Sequence, residues 1–332
     1  MVRLAASALA IDLGTANTLI YELGEPEGSP GRIILNEPTM AAVHTGSGEV
    51  VGVGAEAPGA VGQGAEPITL VQPLAAGVIS DIDVAEQMLA ALVERVCPPR
   101  RMGSRPRVAI AVPSSVTGVE RRAVAEAVYA AGAGDVELVE EPLAAAIGAG
   151  LPVEEPTPCA VVDIGGGTTE VALIIDGGIV ASASLPIGGF ALDESISTWA
   201  RKEHDLLVSE GTAEQVKIGV GSAWPRRHED AAEIRGRDLR TGLPKTITVS
   251  AAGVRIAMDE PLLDILGAVR ATLDRCPPDL VTGLGERGIV LTGGGALLTG
   301  LPDRMADEIG LPVSVADRPL ECVVLGAATF LL

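Results

Sequence analysis

The segment Val161-Val162-Asp163-Ile164-Gly165-Gly166-Gly167-Thr168-Thr169-Glu170-Val171 decides how this chain is read. An apolar run carries one acid into three glycines, then two threonines, then apolar residues that alternate again. That pattern predicts a β-hairpin with a glycine turn. Residues without side chains let backbone N–H groups approach an anion closely, and the threonine hydroxyls can donate to phosphate oxygens. Asp163, at the strand end, can hold the water shell of Mg²⁺. Taken alone, the segment is equally an ordinary hairpin with a flexible turn.

A second copy changes its meaning. Ala10-Ile11-Asp12-Leu13-Gly14-Thr15-Ala16-Asn17-Thr18-Leu19-Ile20 aligns Asp12 with Asp163, Gly14 with Gly165 and Thr18 with Thr169. An internal repeat, one per half, predicts two related α/β domains. Two such hairpins facing each other would grip one phosphate chain, with Asp12 and Asp163 near one metal ion. The cradle residues are Gly14, Thr15, Ala16, Asn17, Gly165, Gly166, Gly167 and Thr168. A third glycine turn, Gly293-Gly294-Gly295, follows the apolar run Ile289-Val290-Leu291. It could lay backbone against a base, or equally serve strand-to-helix packing.

Composition narrows the class. The 332 residues suit two domains, and with 47% hydrophobic but only 2% aromatic residues the core must be aliphatic. A net charge of −20 argues against a nucleic-acid partner, which needs a basic face. An anionic ligand would then be held by backbone N–H groups, helix N-termini and Mg²⁺. Cys97, Cys159, Cys276 and Cys322 are far apart, so a disulfide or metal framework is not expected and a reducing cytoplasm is. No apolar run reaches the ~18 residues needed to span a bilayer. Residues 1–10 read as the first core strand.

Along the chain, strands alternate with helices, which predicts a largely parallel sheet covered on both faces. Residues 32–73 read as a small β-rich insertion. Asp83 is expected to cap a helix, with Glu86 as its capping pair and Pro98-Pro99 as its stop. A helix from about 118 should bury Val119, Ala123, Ala127, Val128 and Ala131. Pro142 should start the next helix at its first position. Residues 205–250 are the most charged and read as a second small subdomain. Pro261 should start a helix that turns Leu262, Leu266, Val269 and Leu273 inward. Glu214 and Lys217, three apart on a helix, share a face and would ordinarily be a surface ion pair.

The three turns, with Leu35-Asn36-Glu37-Pro38, Gly77-Val78-Ile79-Ser80-Asp81 and Glu140-Glu141-Pro142-Leu143-Ala144, resemble the actin-like ATPase superfamily. Their wording is closest to the MreB and MreB-like (Mbl) bacterial actins, over nearly the whole chain. The resemblance implies an actin-like α/β fold of two related domains, each a mixed sheet with helices on both faces, around a nucleotide cleft. Residues 1–31, 74–141 and 316–332 would form one core, with 32–73 as its small subdomain. Residues 142–188 and 251–315 would form the other, with 189–250 as its small subdomain.

It further implies ATP or ADP with Mg²⁺ as ligands and slow ATP hydrolysis. Glu141 would orient the attacking water, with Thr168 and Asp163 as its catalytic companions. Glu214 and Lys217 would contact ribose and adenine, and Gly293, Gly294 and Gly295 the base. Actins carry a lysine where Leu19 stands, so charge neutralisation would fall on Mg²⁺. The function implied is a self-polymerising filament protein, in the cytoplasm and peripheral at the inner face of the cell membrane, that organises cell-wall synthesis. Arg121 and Arg122 are either a solvated face or part of a paired-protofilament contact. Membrane contact would be weak and would use the 97–107 loop, with Met102 among Arg100, Arg101, Arg105 and Arg107. A non-polymerising nucleotide-dependent scaffold and a small-molecule phosphotransferase are the rival readings.

Overall fold

The structure is a computed structural model that describes residues 8–24, 29–62, 67–97 and 105–332. The chain divides into two compact units, one running through Leu151 and taking up Glu321–Leu332, the other Pro152–Leu320.

The first unit is built on a five-stranded sheet. Strands β1 (Ala8–Leu13), β2 (Asn17–Glu22) and β3 (Arg32–Pro38) form an antiparallel meander. The inserted strands β4 (Ala41–His44), β5 (Val50–Val53) and β6 (Ile68–Val71) make a separate sheet around the short helix α1 (Ala57–Ala60). A small hairpin of β7 (Leu74–Ala75) and β8 (Val78–Ile79) leads into α2 (Ile82–Val96). Then β9 (Arg107–Val112), α3 (Gly118–Ala130) and β10 (Asp135–Glu140) complete the main sheet in the order β10-β9-β1-β2-β3. Helix α4 (Glu141–Gly148) and the C-terminal helix Cys322–Thr329 close the unit.

The second unit repeats the plan. It contains β11 (Cys159–Ile164), β12 (Thr169–Ile175), β13 (Gly178–Leu185), α5 (Gly189–His204), β14 (Leu206–Leu207) and α6 (Glu210–Val220). Next come β15 (Ala231–Asp238), β16 (Pro244–Ser250), α7 (Ala251–Ala257), α8 (Asp259–Leu273) and α9 (Val281–Arg287). Last are β17 (Ile289–Thr292), α10 (Leu301–Ile309) and β18 (Val313–Val315). Its main sheet runs β18-β17-β11-β12-β13, the same order strand for strand as in the first unit. The strands β14, β15 and β16 make a small separate sheet.

Several expectations change on contact with this fold. The main sheets are mixed, as the family resemblance implied, and not largely parallel as the alternation of strands and helices alone suggested. Each joins an antiparallel meander to two parallel pairs, because only the helical crossovers can connect parallel neighbours. Strand β3, expected in the insertion, pairs with β2 in the main sheet. Helix α4, expected with the second domain, belongs to the first unit. A Cβ on Gly148 would overlap the Cys322 carbonyl, and one on Gly326 that of Ala144, so α4 and the C-terminal helix cross backbone to backbone. Residues 316–320 lie with the second unit, where the Gly293 N–H donates to the Pro319 carbonyl.

The cap of α2 is Asp81, not Asp83: its carboxylate accepts from the Val84 N–H. Val119 is 79% exposed; α3 buries Ala127 and Val128 as expected, with Val124 beside them. Its start is set by a capping box of Thr117 and Glu120. The cores are aliphatic, as the composition requires. Leu9, Ile11, Ile20, Met88, Leu89 and Ile110 fill the first unit, and Val162, Ile164, Leu173, Ile196 and Leu206 the second.

Candidate functional site

Each unit places its glycine turn at the same point of the same hairpin. In the first, Asp12 lies opposite Leu19 and the Gly14 N–H donates to the Asn17 carbonyl at 3.1 Å. In the second, Asp163 lies opposite Glu170 and the Gly165 N–H donates to the Thr168 carbonyl at 2.8 Å. None of Gly14, Gly165, Gly166 and Gly167 takes a positive φ. Their value is therefore not left-handed backbone but an open approach to the main chain.

What holds each turn also aims it. In a trans peptide the C=O of one residue and the N–H of the next point in opposite directions. The Thr39 hydroxyl donates to the Gly14 carbonyl at 2.7 Å, and the Thr39 N–H to that of Ala16 at 2.9 Å. In the second unit the Gly189 and Phe190 N–H groups donate to the carbonyls of Gly165 and Gly166, at 2.9 and 2.8 Å. With these carbonyls pulled inward, the N–H groups of Thr15, Gly166 and Gly167 face the other way. None of these N–H groups has an acceptor among the described residues. Adjacent unpaired N–H groups form a concavity that suits phosphate oxygens.

The two acids sit in different surroundings. Asp12 is half-buried. Asp163 is buried, accepts from the Thr292 hydroxyl at 2.7 Å, and faces Glu170 across the hairpin. Burial is the main cause that raises its pKa to about 6; the Thr292 hydrogen bond opposes the shift and Glu170 adds to it. A buried carboxylate of this kind gains from a cation nearby. No group of three or more His, Cys, Asp or Glu side chains placed to hold a metal occurs among the described residues. A Mg²⁺ ion held through one carboxylate and its own water fits such a donor set.

The remaining site residues are spread over both units. Glu141 opens α4 and is buried, with Pro142 fixing the turn that follows. It lines a cavity of about 70 Å³ together with Leu13, Leu74, Val112 and Pro113. Its neighbour Glu140 is instead committed to Arg121 at 2.7 Å. That pairing holds Arg121 to its own unit, whereas Arg122 lies 3.7 Å from Glu126 on an exposed face of α3. Thr168 is buried beside Gly165. Glu214 is exposed on α6 and is not the partner of Lys217, which pairs with Asp193 at 2.8 Å.

Gly293, at φ 77°, and Gly295 press against the end of β11, where a Cβ on either would strike Ile164. Packing explains these two, whereas a Cβ on Gly294 would meet only Leu320. Sequence reasoning passed over Thr39, Asp193 and Thr292. Thr39 carries a signal in hindsight, since it follows the third strand where Gly188 follows its counterpart.

A family model described as MreB/Mbl protein matches residues 6–332. The chain belongs to the MreB/Mbl family. It is 46% identical to the cell shape-determining protein MreB of Escherichia coli (strain K12), over 96% of this chain and 91% of that protein. It is 41% identical to the cell shape-determining protein Mbl of Bacillus subtilis (strain 168), over 98% and 96%. Among solved structures, MreB5 of Spiroplasma citri bound to AMPPNP superposes with a TM-score of 0.88 at 33% identity, covering 98% of this chain and 96% of that one. The same protein is also known bound to ADP. A MamK double helical filament, at 21% identity and a TM-score of 0.81, shares the actin-like fold.

Proposed function

We propose that this chain is a nucleotide-driven cell-shape protein that assembles into filaments and hydrolyses ATP slowly. The observation that carries the reading is the duplicated turn: the same closing hydrogen bond, the same Asp register and an outward N–H at the matching position, Thr15 and Gly166, in each unit. Relatives named for determining cell shape, and one relative bound to AMPPNP and ADP, support it. The N–H groups of each turn would donate to nucleotide phosphates, and Asp12 and Asp163 are the residues that would hold Mg²⁺ through its water. When bound, Mg²⁺ neutralises charge that builds on the phosphate oxygens.

Hydrolysis then requires a group that orients water. Glu141 is that group, with Thr168 as a second hydrogen-bonding partner. The largely apolar walls of its cavity would strengthen a carboxylate–water contact. Glu214 and the third glycine turn serve the nucleoside. Filaments bring many weak membrane contacts together at the inner face of the cell membrane, where wall synthesis is organised. Of the membrane loop, residues 98–104, including Arg100, Arg101 and Met102, lie outside the described residues.

Phosphate release and light scattering on two variants test the reading. Glu141→Ala should lower turnover about 100-fold with ATP affinity near wild type, and its filaments should persist. Glu140→Ala should change turnover less than about twofold, since Glu140 already serves Arg121. Unchanged turnover in Glu141→Ala overturns the assignment, and absence of any ATP-dependent sedimentation overturns filament assembly.

A further inference from the structure

Lys217 reaches back from α6 to the first turn of α5. Its ammonium group donates to the Gly189 carbonyl at 3.0 Å and to the Asp193 carboxylate at 2.8 Å. The side chain is 15% exposed and that of Asp193 only 6%. The second Asp193 oxygen is buried with no hydrogen-bond partner among the described residues. Lys217 is therefore what compensates a desolvated carboxylate, and losing it would leave that charge uncovered.

The same turn of α5 is what fixes the three-glycine turn. Helix α5 has no side-chain cap. Its first N–H groups are capped by the carbonyls of Gly165 and Gly166. A Cβ on Gly188 would stand 2.6 Å from the Gly165 oxygen, so the contact admits nothing between helix and turn. The chain of contacts runs from the Lys217 ammonium group to the Gly189 carbonyl, through the same peptide's Phe190 N–H to the Gly166 carbonyl, and so to the Gly167 N–H.

From this geometry we infer that Lys217 is a positioning residue for phosphate binding: with Asp193 it clamps the N-terminus of α5 so that the 165–168 turn holds its N–H groups outward. This role differs from the direct ribose or adenine contact that family resemblance implies for Lys217. It rests on the reading of the turn as a phosphate site. It also accounts for the way Lys217 turns toward Asp193 rather than toward Glu214.

The two roles separate by ligand. Calorimetry with Mg-ATP and Mg-ADP, and ligand-observed NMR with adenosine, would be run on wild type, Lys217→Met, Lys217→Arg and Asp193→Asn. A clamp predicts that Lys217→Met loses about tenfold or more in affinity for Mg-ATP and Mg-ADP, with adenosine unchanged within about twofold. Lys217→Arg, which can still donate to both acceptors, should recover most of the loss. If Lys217→Met melts below the working temperature, Asp193→Asn should show the same ligand pattern with a smaller loss.

Equal losses for adenosine and Mg-ATP would establish direct nucleoside contact and overturn the clamp. Unchanged affinities throughout would overturn it too. If wild type itself binds adenosine as tightly as Mg-ATP, it is the phosphate reading of the turn that fails.

Discussion

The turn at 14–17 and the turn at 165–168 have the same backbone and opposite supports. In the first unit a single residue, Thr39, reaches in with its hydroxyl and its N–H, and Thr39 is itself bonded to Thr18. The Thr15 hydroxyl accepts from the Gly77 N–H at 3.0 Å, which adds the β7–β8 hairpin to the assembly. In the second unit the support is the N-terminus of α5, and Gly188 stands where a side chain would collide. The acid at the strand end differs as well, half-buried in one unit and desolvated in the other. Two ways of pinning the first carbonyl of the turn, Gly14 or Gly165, turn the next N–H, that of Thr15 or Gly166, the same way. The duplicated feature is thus the direction of the amides, not the chemistry behind them.

The contrast is sharpest at Gly188. Gly188→Ala drives a methyl group into the Gly165 and Gly166 carbonyls, so it should destabilise the second unit by about 3 kcal/mol and displace the turn. Thermal unfolding and Mg-ATP titration would report both effects. An alanine variant that melts and binds as wild type would show that the helix does not fix the turn.

Next in size is an effect of opposite sign. At pH 7, above the folded value of about 6, Asp163 is ionised in both folded and unfolded chains, so its burial cost stands in full. Asp163→Asn can still accept from Thr292 without the charge. Nucleotide-free Asp163→Asn should therefore gain about 1–3 kcal/mol, read as a higher Tm, while losing Mg-dependent binding. Asp12→Asn, in its wetter setting, should change nucleotide-free stability by less than about 0.5 kcal/mol. Equal shifts in the two variants would erase the electrostatic difference between the turns.

Thr39→Val removes one hydroxyl and leaves the Gly14 carbonyl and Thr18 without it, at a cost of about 1–2 kcal/mol. Its melting curve should fall between those of wild type and Gly188→Ala. The smallest effect lies away from both turns. Backbone N–H groups of Thr241 and Arg240 hold Asp238 down to about 2. Its contribution to the β15–β16 hairpin is present above the usual 3.8 and disappears as pH falls toward 2. An NMR titration of Asp238 with a midpoint near 3.8 would contradict that local structure.

Much of this was legible in the residues because a repeat doubles its own signal. Asp12 and Asp163 align, and their turns coincide in register as well as in sequence. The aliphatic core also follows from local pattern, as does the helix at Pro142, which starts one residue earlier at Glu141. The supports were not legible, because they come from distant chain: Thr39 is 25 residues from Gly14, and Thr292 is 129 from Asp163. Spacing on α6 suggested a Glu214–Lys217 pair, but burial of Asp193 outbid an exposed i,i+3 partner. Val119 looked apolar enough for the core, yet the capping box at Thr117 sets the helix phase and turns it outward.

The most direct test of the central claim is calorimetric titration of Mg-ATP into wild type, Asp12→Ala and Asp163→Ala, with and without Mg²⁺. If both turns serve a Mg-nucleotide, wild type binds more tightly with Mg²⁺, and each alanine variant loses most of that Mg-dependent increment. Mg-ATP affinity unchanged in both variants would contradict the account.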